Sequence, residues 1–327
     1  MSLDGVKVLH QKITENYMLI NGDTTEVVKA FPDDSMGLIV YSPPFSQLYT
    51  YSNSDRDLGN SHNDEEFFTH FGFIVEDLYR ILQPGRIMAV HCMQIPAMKE
   101  RDGYIGIKDF RGDLIREFQK YGFIFHSEVT VWKSPVVEMQ RTKALGLLHK
   151  QIKKDSAKSR MGLPDYIIFM RKPGENVNPI SHTNETYPVD EWQNVASPVW
   201  EIYPSDVWYS LKDNPENILP YPVWWDINQS DTLNRMFTDE ESEKHIAPLQ
   251  LGVIERIVKL YSNEGDKVFT PFMGIGSEVF QAVKMNRKGI GIELKDVYFE
   301  QAVRNLEALD MDKNQMSLFD FIGNEQS

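Results

Sequence analysis

Asp266–Thr270, then Pro271-Phe272-Met273-Gly274-Ile275-Gly276-Ser277, then Glu278–Met285 reads as a strand, a glycine turn and a helix. A glycine turn between a strand and a helix lets backbone approach a ligand closely and aims amide N–H groups at it. Gly289–Glu293 reads as the next strand and ends on an acid, 17 residues past Gly276. A carboxylate there can accept hydrogen bonds from ribose hydroxyls. The full dinucleotide pattern is incomplete, because Val279 stands where its third glycine would be. A structural tight turn is the alternative account of the glycines. No phosphate-binding loop of the G-x-x-x-x-G-K-[ST] type is present, which argues against a nucleoside triphosphatase.

Working outward, the chain alternates strand-like and helix-like segments. Tyr17–Asn21, Gly37–Tyr41, Arg86–His91, Phe123–Trp132 and Tyr166–Met170 read as strands. Thr25–Ala30, Glu65–Leu82 and Asp113–Tyr121 read as helices; in the second of these Phe68, Phe71, Val75, Leu78, Tyr79 and Leu82 share one face. Leu249–Tyr261 and Asp296–Leu309 close the pattern as helices. Such alternation implies a mostly parallel sheet with helices on both faces. Residues 173–243, rich in Pro, Asn, Asp and Trp, show little periodicity and read as an irregular excursion from the sheet.

Ser42-Pro43-Pro44-Phe45 follows the strand that ends at Tyr41. Two prolines fix the backbone and remove two N–H donors. The Ser42 hydroxyl and nearby carbonyls are left as rigid acceptors, with a ring beside them. That suits a planar base carrying an amino group, although a plain Pro-Pro turn has the same sequence.

Composition sets the outer bounds. Hydrophobic residues make up 41% and charged residues 25%, ordinary values for a globular chain of 327 residues. A single Cys excludes an intrachain disulfide and a multi-thiolate zinc site, and a reducing cytoplasm is expected. Cys92 reads as a small core residue, and His91, His126 and His149 show no metal-ligand spacing, so no metal is expected. No apolar run reaches the length of a membrane span, and Met1–Lys12 has no secretory character. Net charge is −14, yet residues 133–172 hold ten Lys or Arg against three acids. Arg141, Lys143, Lys150, Lys153 and Lys154 in that segment form a candidate DNA-facing surface; a solvated helix face is the alternative.

Together these motifs resemble the amino-methylating DNA methyltransferases. Ser42-Pro43-Pro44-Phe45 resembles their catalytic motif: Asp, Asn or Ser, then Pro-Pro, then an aromatic. Thr270–Ser277 resembles their cofactor loop, Gly289–Glu293 with Tyr298 the elements after it, and Lys244–Leu249 the segment covering the methionine end of the cofactor. Asn21-Gly22-Asp23 and Leu82–Arg86 also fit. Thr270 departs from the pattern, which usually has an acid there. Because the catalytic motif precedes the cofactor loop, the resemblance implies the circularly permuted β class. The expected fold is a permuted Rossmann-like methyltransferase with an inserted target-recognition region.

The resemblance implies S-adenosyl-L-methionine as cofactor and DNA as substrate. It gives Ser42, Pro43, Pro44 and Phe45 the catalytic role, and Asp23, His245, Pro248, Phe272, Gly274, Gly276, Ser277 and Glu293 the cofactor role. Tyr49 and Tyr51 would stack bases. The expected division is 1–172 as catalytic half, 173–243 as target-recognition region starting as early as 140, 244–309 as cofactor half and 310–327 as a tail. Ser42 at the first position leans toward cytosine-N4 over adenine-N6. Gln315, Leu318 and Phe319 resemble the short peptide that docks on the bacterial sliding clamp, with a C-terminal latch as the alternative. A homodimer is a further expected partner arrangement. A nicotinamide oxidoreductase would use the same glycine turn but leaves Ser42–Phe45 unexplained; an idle DNA-binding subunit would accommodate Thr270.

Overall fold

A computed structural model describes residues 5–44, 64–97, 99–142, 145–203, 208, 227–233 and 249–324, excepting the side chains of 64, 100, 101, 137, 140–142, 145 and 314–324. The strands are β1 (Val8–Ile13), β2 (Tyr17–Gly22), β3 (Met36–Tyr41), β4 (Leu82–Met93), β5 (Ile95–Ala97), β6 (Gly106–Lys108), β7 (Ile124–Lys133), β8 (Asp165–Arg171), β9 (Val199–Tyr203), β10 (Ile227–Asn228), β11 (Lys267–Thr270) and β12 (Lys288–Glu293). The helices used below are α1 (Thr24–Val27), α2 (Asp64–Ile81), α3 (Phe110–Lys120), α4 (Pro135–Thr142), α5 (His149–Lys154), α6 (Val189–Val195), α7 (Leu251–Tyr261), α8 (Ser277–Lys284) and α9 (Asp296–Asn324).

Among the described residues, ten strands make one sheet in the order β1-β2-β12-β11-β3-β4-β8-β7-β9-β10, and β5 and β6 pair separately. In the large sheet β1 and β8 run antiparallel to their neighbours and the other pairings are parallel, while β5 and β6 pair antiparallel. β3, Met36-Gly37-Leu38-Ile39-Val40-Tyr41, is buried along its whole length, as a central strand covered on both faces must be. Alternate side chains enter different cores. Leu38 and Val40 join α7, α8 and the first turns of α9 on one face. Ile39 and Tyr41 join α2 and α3 on the other. In α2 the buried set is Phe67, Phe71, Ile74, Val75, Leu78 and Ile81, the spacing that gives a helix one apolar stripe. The result is a three-layer helix–sheet–helix sandwich.

Successive strands β3 and β4 lead one way across the sheet, and β11 and β12 lead the other. The order therefore reverses between β11 and β3, where Val268 pairs with Leu38 and Phe269 with Ile39. An open parallel sheet forms its ligand crevice outside the carboxyl ends of the strands at such a point. At the opposite edge of the sheet, the fully buried guanidinium of Arg86 on β4 meets Asp266, just before β11, at 3.0 Å. This ion pair ties the two halves of the sequence together.

Two expectations are corrected. The segment 173–243 is not wholly an excursion: β9 and β10 extend the sheet beyond β7, and α6 precedes them. Short strands of mixed polarity at a sheet edge carry little periodic signal. The last helix does not stop at Leu309 but continues to Asn324. Nothing in 310–322 breaks a helix, and Lys313 anchors the extension by donating to the Val283 carbonyl at 2.7 Å. The side chains of Gln315, Leu318 and Phe319 lie outside the described residues.

Glu278, in the first turn of α8, is 6% exposed, and burial pushes its carboxyl up to about 8. The unfolded chain ionises this group near its ordinary value of about 4.3. Across the window between those values the folded protein holds a proton that the unfolded chain lacks. Stability from this group therefore falls as pH rises. Glu278→Gln is expected to raise the thermal midpoint by a few degrees near pH 8.5 and by much less near pH 5. Melting curves at both values check this; an equal effect at both would refute it.

Candidate active site

The glycine loop is built by backbone demands. After β11 the chain turns so that the Met273 amide donates to the Ile292 carbonyl at 2.8 Å. Gly274 and Gly276 then take φ of 54° and 93°, the left-handed region where a side chain is strained. A Cβ on Gly291 would lie 2.5 Å from Met273 Sδ, so that glycine is required for the loop to lie on β12. The Asn305 side chain, from α9, donates to the Ile275 carbonyl at 2.9 Å and holds the turn from behind.

Glu293 ends β12 and organises the same loop. One carboxylate oxygen accepts from the Gly274 amide at 2.8 Å and the other from the Lys295 amide at 2.9 Å. Asn21 of β2 donates to the Glu293 and Leu294 carbonyls at 3.0 and 3.3 Å. Asp23 caps α1 by accepting from the Thr25 amide at 3.0 Å, and Thr24 Oγ1 donates to the Pro271 carbonyl at 2.5 Å. Thus Asn21 holds the end of β12 and Thr24 the entrance of the loop, across some 250 residues of sequence.

Ser42, Pro43 and Pro44 leave the carboxyl end of β3, beside the end of β11; the rings of Tyr41 and Phe272 lie 5.8 Å apart. Ser42 Oγ is 2.8 Å from His91 Nδ1, and His91 Nε2 is 2.7 Å from Asp165 Oδ2. The Lys133 ammonium closes on the same Asp165 oxygen. Each member comes from the same edge of the sheet: His91 from the end of β4, Lys133 from the end of β7, and Asp165 from the start of antiparallel β8. Asp165 is buried, which by itself would raise its carboxyl; Lys133 and His91 overcome that and hold it well below the usual carboxylate range.

Sequence alone marks His91 as structural and does not mark Asp165; the structure joins His91 to Ser42 directly and Asp165 to it through His91. The available signal was placement: each is a polar residue at the rim of an otherwise apolar strand. Cys92 is buried, as expected of a core residue. The basic segment divides. Lys133, Lys172, Arg160 and Lys158 are paired with Asp165, Asp34, Glu138 and Asp155, whereas Lys150, Lys153 and Lys154 stand exposed on α5. Phe45, Tyr49, Tyr51, Lys143, His245 and Pro248, and the side chain of Arg141, lie outside the described residues. Among the described residues there is no group of acids, His and Cys fit to hold a metal ion, and no helix is long and apolar enough to cross a membrane.

A switch-point crevice with a left-handed glycine loop on one side and a Ser-Pro-Pro turn on the other defines a nucleoside-cofactor methyltransferase site. The DNA methylase family model for N6- and N4-type enzymes matches residues 36–304, and the chain belongs to that family. It is an amino-methylating DNA methyltransferase, and its cofactor is S-adenosyl-L-methionine. The Type II methyltransferase M.MjaI of Methanocaldococcus jannaschii is 22% identical over 92% of this chain and 96% of its own length. M.HpaI of Haemophilus parainfluenzae is 33% identical over 22% of this chain and 23% of its own. The Thermus thermophilus protein TTHA0409, solved with S-adenosyl-L-methionine, shares the fold at a TM-score of 0.58 and 21% identity, covering 88% of this chain and 91% of that one. The cytosine-N4-specific PvuII DNA methyltransferase does so at 0.57 and 16%, covering 89% and 86%.

The residues present fit the cofactor. Gly274 and Gly276 bend the loop through left-handed backbone, and the buried Thr270 Oγ1, where the family usually has an acid, finds no hydrogen-bond partner among the described residues. Glu293→Ala is expected to weaken S-adenosyl-L-methionine binding at least tenfold, about 1.4 kcal/mol. Glu293→Gln, which keeps one carbonyl acceptor, should lose less. Calorimetry reads both, and unaltered affinity in Glu293→Ala would remove this residue from the cofactor site.

Proposed function

We propose that this enzyme methylates the N4 amino group of a cytosine within a specific DNA sequence. The observation that carries the reading is Ser42, a neutral hydroxyl at the first position of the Pro-Pro turn, set at the carboxyl end of β3 beside the glycine loop. The target base leaves the duplex, because its amino group is out of reach of a protein pocket while stacked and paired. Ser42 and the Pro43 carbonyl accept hydrogen bonds from the amino group and turn the nitrogen lone pair outward. Bound S-adenosyl-L-methionine supplies an electrophilic methyl group. The protein contributes orientation and fixed dipoles, and Phe45 a stacking face.

DNA lies across the carboxyl edge of the sheet in this reading. The connection from β7 to β8 carries α4 and α5 out of that edge, with exposed Lys150, Lys153 and Lys154. Lysines so placed contact phosphates without reading sequence. The names of the relatives, Type II methyltransferases, favour a modification enzyme that works alongside a restriction endonuclease.

The test is expression in a host without DNA methylation, followed by mass spectrometry of the hydrolysed DNA. N4-methylcytosine is expected, and it should vanish with Ser42→Ala, whose turnover should fall about a hundredfold, the scale of losing one positioned polar contact, at unchanged cofactor affinity. N6-methyladenine would replace this reading with the adenine one, and neither base would overturn both.

A further inference from the structure

A serine hydroxyl both donates and accepts. To hold an amino group, its own proton must point elsewhere. The buried relay at the rim of the sheet decides that direction. The Lys133 ammonium pairs with the buried Asp165 carboxylate on the same oxygen that His91 Nε2 approaches. Asp165 is an acceptor only, and its partner on the ring is Nε2 at 2.7 Å. That contact calls for a ring hydrogen on Nε2, and in the singly protonated ring Nδ1, 2.8 Å from Ser42 Oγ, is then the acceptor.

We propose that His91 is a positioning residue which, through this tautomer, directs the Ser42 hydroxyl hydrogen toward Nδ1 as a hydrogen bond and makes Ser42 an obligate acceptor toward the target amino group. The arrangement has the geometry of a serine–histidine–aspartate triad, turned from activating a nucleophile to orienting a hydrogen bond. His91 sits 8% exposed between β4 and β8, so the ring is held by packing as well as by its two partners. The inference rests on the amino-methylating reading of Ser42, but the tautomer itself does not.

Two measurements test it. In ¹⁵N spectra of the histidine-labelled protein, assigned by the signal lost in His91→Asn, His91 should show a protonated Nε2 and a bare Nδ1. The opposite tautomer, or hydrogen on both nitrogens, overturns the proposal whatever the enzyme's target proves to be. In methyl-transfer assays, His91→Phe should lower kcat about tenfold or more, with cofactor affinity and thermal midpoint close to wild type. His91→Asn, which keeps a carbonyl near the Nδ1 position, should recover part of the loss. In the Ser42→Ala background, His91→Phe should cost nothing further, because the group it orients is gone. Full kcat in His91→Phe, or a loss that adds undiminished to that of Ser42→Ala, contradicts the role; should His91→Phe fail to fold, the same comparison with His91→Asn decides.

Discussion

The pairing of β11 with β3 is the contact on which the rest of this molecule depends. Val268 beside Leu38 and Phe269 beside Ile39 join segments some 230 residues apart in sequence. That register puts the end of one strand, with its glycine loop, next to the end of the other, with its Ser-Pro-Pro turn. Neither motif has chemistry of its own. A glycine loop alone is a turn, and two prolines alone are a kink. Side by side at a point where strand order reverses, they flank the place where an open α/β sheet binds its ligand.

Several features make that pairing strong enough to rely on. Leu38 and Val40 face one core while Ile39 and Tyr41 face the other, so a slip of one residue would exchange every side chain between two differently shaped interiors. At the opposite end of the strands the Arg86–Asp266 ion pair locks the same junction. A buried guanidinium left without its carboxylate costs several kcal/mol, so the pair acts chiefly by penalising misalignment. β2 completes the join by pairing with β12 and sending Asn21 to the Glu293 carbonyl. The cofactor wall is therefore assembled from both ends of the chain, as a permuted order requires.

Much of this was legible in the sequence. Gly274, Gly276 and Glu293 could be placed from strand–turn–helix punctuation, and Ser42-Pro43-Pro44 from its position after an apolar strand. The sheet's helical layers followed from the spacing of Phe71, Val75 and Leu78. Other features were hidden for identifiable reasons. β9 lies in a Pro- and Trp-rich region, with apolar Val199 and Tyr203 among its outward positions masking the alternation, and β10 at the sheet edge has only two residues. The long α9 runs on because no residue after Leu309 stops it before Gly323, although its composition resembles a tail. His91 and Asp165 were the most consequential omissions. They are 74 residues apart, lie on antiparallel strands, and become partners only when β8 inserts beside β4. No local pattern encodes such a relay.

The central claim is that the crevice between the ends of β11 and β3 brings cofactor and Ser42 together. A crystal structure of the enzyme with S-adenosyl-L-methionine tests it most directly. The ribose is expected on Glu293, the cofactor against the Gly274–Gly276 turn, and the methyl-bearing sulfur facing Ser42-Pro43-Pro44. A cofactor bound elsewhere on the sheet, or bound in the crevice with its methyl group turned away from Ser42, would contradict it.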